Sequence, residues 1–124
     1  MDLVTVADVA ESVAEHGDRY LSRVYTEAEL ADCRTGDRVD ATRLAARFAA
    51  KEATIKVLRE FVPWSSIEVR RSPAGWVEIG LHGRAADSAR AGGLSEFALS
   101  LTHEGGLASA VVVASYAPAS RDGA

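Results

Sequence analysis

A chain of 124 residues, 48% hydrophobic and 26% charged, has the size and composition of one soluble globular domain and is too short for two. A formal net charge of −4, with no basic cluster to offset it, argues against broad nucleic-acid binding, and no apolar run approaches the roughly 20 residues of a membrane helix. The single cysteine, Cys33, excludes an internal disulfide and suits a reducing compartment; with an opening stretch that is acidic rather than basic, the expected location is the cytoplasm.

Leu3 to Val6 reads as a short strand, rich in β-branched residues. From Ala7 the spacing turns helical: Val6, Val9, Ala10 and Val13 share one face, and Gly17 can end the helix. Tyr20, Leu21 and Val24 suggest another helical stretch. Thr26 and Glu29 form a capping box that starts a helix running to about Cys33, and residues 35–38 read as a polar loop. The strongest helix runs from Thr42 to about Glu60, rich in Ala, Leu, Lys, Arg and Glu, with Pro63 barring its continuation. Ile67 and Val69 then alternate as a half-buried strand, and a turn at Ser72 to Gly75 returns the chain as a second strand from Trp76 to Leu81. Gly83 to Arg90 reads as a short helix closed by Gly92 and Gly93. Phe97 to His103 and Leu107 to Tyr116 read as strands joined by a Gly105–Gly106 turn, the last apolar enough to be central. The expected class is α+β, N-terminal helices packed on a mostly antiparallel sheet, with one domain over 1–116 and a disordered tail over 117–124.

Chemistry concentrates in three places. On the long helix, Glu52 and Lys56 are one turn apart on a face shared with Ala45 and Ala49, which leaves room for a bulky ligand. Alone, such a pair reads as an ordinary solvated salt bridge. Asp2, at the start of the first strand, could bring a second carboxylate to Glu52; two carboxylates at one site need a cation or proton between them, and magnesium is the usual hard, oxygen-preferring partner. Ser100 to Gly106 sets hydroxyls, His103 and two glycines at a strand end, a plausible phosphate-side lining or simply an exposed turn. Trp64 has two readings, a cover for a ligand face or a core residue.

Taken together, Asp2–Leu3, the helix Phe48-Ala49-Ala50-Lys51-Glu52-Ala53-Thr54-Ile55-Lys56, and the strand Ser100-Leu101-Thr102-His103 followed by the small-residue strand 107–114 resemble the holo-acyl-carrier-protein synthase family of phosphopantetheinyl transferases. The resemblance covers nearly the whole chain, and it implies the phosphopantetheinyl transferase fold. It implies transfer of 4′-phosphopantetheine from coenzyme A to a serine of an apo acyl carrier protein, releasing 3′,5′-adenosine bisphosphate. It further implies magnesium on Asp2 and Glu52, and a charge-neutralising or proton-moving role for Lys56. His103 would contact coenzyme A with Thr102 beside it, and Arg47 and Lys51 would be possible phosphate contacts. A homotrimer with sites between subunits is the assembly expected, docking an acidic carrier helix on arginines such as Arg19 and Arg23. Whether the carrier serves fatty-acid, polyketide or peptide synthesis stays open, as does the identity of the general base. Two departures from the family pattern, a glycine-free segment over 57–64 and only Met1 ahead of Asp2, motivate an alternative: a non-catalytic coenzyme A-binding module of the same fold; Asp8, where many members carry Arg, implies a different carrier or docking.

Overall fold

The computed structural model describes residues 1–118; the expected tail over 117–124 lies almost wholly outside them. Strand β1 (Asp2–Thr5) leads into three helices, α1 (Val6–His16), α2 (Asp18–Val24) and α3 (Glu27–Cys33). Residues expected to be a loop instead form a minute hairpin, β2 (Arg34–Thr35) and β3 (Arg38–Val39), ahead of the long helix α4 (Ala41–Leu58). A 3₁₀ turn (Trp64–Ser66) precedes the hairpin β4 (Ile67–Arg71) and β5 (Val77–Leu81), then α5 (Gly83–Ala91), β6 (Leu94–Glu104) and β7 (Leu107–Tyr116). The α+β expectation holds. All strand pairs are antiparallel, but they form a three-stranded sheet ordered β1-β7-β6 and two separate hairpins. As its apolar sequence suggests, β7 is the central strand of that sheet.

Local chemistry accounts for the helix ends. The Thr26 hydroxyl accepts from the Glu29 amide while the Glu29 carboxylate accepts from the Thr26 amide, the capping box read from the sequence. Asp40 caps α4 by accepting from the amides of Thr42 and Arg43 at 2.9 and 3.2 Å. Helix α4 stops at Leu58, two residues before the expected Glu60, because Arg59 takes the left-handed conformation (φ 58°) that glycine usually supplies. On α1 only Val9 is fully buried, Val6 and Val13 are partly so, and Ala10, expected on the same face, is exposed.

Ala45, Ala49, Ala50 and Ala53 of α4 are completely buried, as are Ala108 and Ala110 of β7. Small side chains on both elements let helix and sheet approach closely, so α4 is the spine against which β7 and β1 are laid. Burial alternates along β7: Ala108, Ala110 and Val112 face α4, while Leu107, Val111 and Val113 stand exposed on the opposite face beside Leu3 of β1. A second cluster under Ile55, Leu58, Val62 and Ile67 seats α5.

Candidate active site

Antiparallel pairing of β1 with β7 sets Asp2 opposite Ala110, on the sheet face turned toward α4. There its carboxylate meets the two α4 side chains that share a face. Lys56 Nζ donates to Asp2 Oδ1 at 2.7 Å and also reaches the Met1 carbonyl at 3.3 Å. The Ser109 hydroxyl donates to the Asp2 carbonyl at 2.9 Å, fixing the strand end. Asp2 Oδ2 is buried and has no hydrogen-bond partner among the described residues. Glu52 lies beside it, and burial, then the neighbouring Asp2, push the Glu52 carboxyl up to about 7. Burial works to raise Asp2 as well, but the adjacent Glu52 and the Lys56 ammonium outweigh it and hold Asp2 below its usual range. The hydrogen bond to Asp2 holds the exposed Lys56 ammonium above its own.

Glu52 stands in the wall of an open cavity of about 270 Å³ bounded by β1 residues Leu3 to Thr5, by Asp8, Val9 and Ser12 of α1, by Tyr20 of α2, and by Phe48 of α4. Phe48 was legible as a wall residue, being one helical turn before Glu52. Asp8 and Tyr20 carried no local signal, since only the packing of α1 and α2 brings them here. Trp64 is partly buried and tilted against Phe48, ring centroids 5.1 Å apart, so it backs the cavity wall rather than covering it.

The other expected site residues are placed differently. Lys51 is not available to a phosphate in this chain: its side chain is completely buried and forms a 2.7 Å ion pair with the equally buried Glu29. Arg47 is also buried, its Nη1 donating to the Arg43 carbonyl at 3.3 Å and its Nε without a partner among the described residues. Thr102 and His103 are exposed and bound a second cavity of about 270 Å³ with Leu3, Glu104, Leu107 and Ser109. In register, Thr102 pairs with Ser109, which pairs with Leu3, so Thr102 lies on the sheet face opposite Asp2. One chain does not bring Thr102 to the Asp2–Glu52 cluster.

Among the described residues, no three acid, His or Cys side chains gather as a metal cage. Two neighbouring carboxylates, one with a buried oxygen that has no hydrogen-bond partner among the described residues, nonetheless fit magnesium, which is commonly held by one or two carboxylates and completes its shell with waters and substrate phosphates.

The sequence model of the 4′-phosphopantetheinyl transferase superfamily matches residues 1–108. The chain belongs to that superfamily. It is 44% identical over 119 residues to a holo-[acyl-carrier-protein] synthase of Anaeromyxobacter dehalogenans, covering 91% of each chain. A holo-[acyl-carrier-protein] synthase of Koribacter versatilis is 40% identical over 107 residues, 83% of this chain and 85% of the relative. Among solved structures, the coenzyme A complex of a Chronobacterium ammoniagenes homologue superposes with a TM-score of 0.80 at 30% identity, covering 94% of this chain and 95% of that one. The Helicobacter pylori synthase in complex with coenzyme A gives 0.79 at 26% identity, covering 92% and 96%.

Proposed function

We propose that this protein is a magnesium-dependent holo-acyl-carrier-protein synthase, moving 4′-phosphopantetheine from coenzyme A to a serine hydroxyl of an apo acyl carrier protein. The observation that carries the reading is the Asp2–Glu52–Lys56 cluster, whose Glu52 lines an open cavity, in a chain whose relatives are named synthases of this kind. The serine oxygen bonds to the β-phosphorus of coenzyme A as the bond from that phosphorus to the bridging oxygen breaks, the oxygen leaving with the α-phosphate. The serine proton goes to a base, and 3′,5′-adenosine bisphosphate departs. Such transfers need positioning and charge neutralisation more than covalent participation by the protein.

Asp2 and Glu52 would hold the metal, whose double charge would offset that of the pyrophosphate oxygens. Lys56, exposed at its ammonium and anchored by Asp2, is placed to neutralise a phosphate at the same edge. A cavity carboxylate or a nearby water serves as base.

We further propose a homotrimer in the cytoplasm, where coenzyme A and carrier proteins are found. The apolar outer face of the three-stranded sheet supports it, with Leu3 61% and Val113 62% exposed.

The test is intact-mass spectrometry of an apo acyl carrier protein incubated with this protein, coenzyme A and magnesium. The expected result is a phosphopantetheine mass gain that disappears with Glu52→Ala or with EDTA. Coenzyme A binding without a mass gain on any of several carriers would instead support a non-catalytic binding module, the reading favoured by the glycine-free turn at Arg59.

A further inference from the structure

Helix α4 carries a second acid–base arrangement immediately beside the first. The Glu29 and Lys51 side chains are both inaccessible to solvent, and their hydrogen bonding is complete. Lys51 Nζ donates to Glu29 Oε1 at 2.7 Å, to the Trp64 carbonyl at 3.0 Å and to the Ile67 carbonyl. Glu29 accepts in addition from the Thr26 amide at 2.9 Å and, through Oε2, from the Val69 amide at 2.8 Å. One ion pair thus joins the start of α3, the middle of α4, the 3₁₀ turn and β4.

We propose that Glu29 and Lys51 are positioning residues for the Glu52 site. Consecutive helical residues are separated by about 100° around the axis, so pinning Lys51 inward at a single nitrogen fixes the direction in which Glu52 leaves α4. Two further contacts reach the cavity walls. The Trp64 carbonyl held by Lys51 seats the indole against Phe48, which bounds the cavity. The Lys51 ammonium also stands 6.0 Å from the ring centroid of Tyr25. The Tyr25 hydroxyl donates to the Leu44 carbonyl at 3.1 Å and so accepts, at 2.9 Å, from Tyr20, another wall residue. A buried ion pair is weak evidence of net stability, because desolvating both charges offsets their attraction; specifying one arrangement is its better-attested use.

The test uses Lys51→Arg and the charge-free pair Glu29→Gln/Lys51→Met, both in a Trp76→Phe background that leaves Trp64 as the only tryptophan. Arginine keeps the charge, but its planar fork cannot meet three acceptors gathered around one nitrogen. The double variant removes both charges, so no unpaired charge is left buried. Folding is checked by circular dichroism, and kcat is corrected for the folded fraction. A misplaced site is expected to lower kcat by about tenfold to a hundredfold while KM for coenzyme A stays within about twofold. Acrylamide quenching of Trp64 should rise in the same variants. A folded variant in which either kcat or Trp64 quenching keeps the parent value overturns the proposal. The kinetic arm rests on the proposed transfer reaction. If the unsubstituted protein transferred nothing, that reading would fail, and the quenching result alone would decide the positioning role.

Discussion

Lys51 and Glu52 are neighbours in sequence on one helix, and each stands in an acid–base cluster, yet the two clusters are built in opposite ways. Around Lys51 every donor and acceptor is matched and solvent is excluded. Around Glu52 a buried carboxylate oxygen lacks a hydrogen-bond partner among the described residues, one carboxyl is held up to about 7, and the lysine is exposed. A satisfied polar cluster specifies structure. An unsatisfied one beside a cavity is poised to bind something, because an unpaired buried oxygen is stabilised as soon as a cation or donor reaches it. A step of one residue along α4 separates the two uses.

The sharpest way to break this comparison is to exchange the costs. Glu52→Ala should reduce transfer to below about one hundredth of the parent rate, since changes merely outside a metal's ligand shell already cost about 10- to 100-fold. Its urea denaturation midpoint should stay close to that of the parent. Lys51→Met should do the reverse to stability, lowering the unfolding free energy by about 3–5 kcal/mol in denaturant titrations, because Glu29 would be left as an unpaired buried charge. Equal stability losses in the two variants would erase the distinction.

The pH dependence of stability sharpens it further. Glu52 keeps its proton up to about 7 in the folded chain, whereas an unfolded glutamate releases it near about 4.3. Between those values the folded state binds more protons, so this group makes stability fall as pH rises through the window. Glu52→Gln should flatten that descent in denaturation series at stepped pH, and an unchanged slope would assign it to another group. The smallest effect concerns the end of the same helix. Arg59→Gly should raise stability by up to about 1 kcal/mol by relieving a left-handed backbone, measurable as a shift in thermal midpoint.

The contrast between the clusters was partly legible in the sequence. Glu52 and Lys56 are a helical turn apart, and a carboxylate at the head of β1 was expected to meet them; local periodicity carries that information. Leu44, Lys51 and Leu58 stand seven residues apart, each two helical turns from the next, so the same periodicity also marks Lys51 as inward, a signal that the family motif overrode. What no local pattern could supply was its partner: Glu29 showed itself as a capping residue, and its second role depends on how α3 packs against α4. Thr102 and His103 are adjacent on a strand, so a period of two sends them to opposite faces, and only the register of β6 on β7 shows that Thr102 turns away from Asp2. The fold was easier to read, because caps, turns and strand alternation are local. The early end of α4 was missed because an arginine adopts the conformation usually supplied by glycine.

The most direct test of the central claim is electron paramagnetic resonance titration of Mn²⁺, as a stand-in for magnesium, into the protein with saturating coenzyme A. The account predicts a bound-metal signal in the parent, and its loss in Asp2→Asn and Glu52→Gln. Unchanged Mn²⁺ binding in Glu52→Gln would contradict the assignment of the acid pair as the metal-holding site.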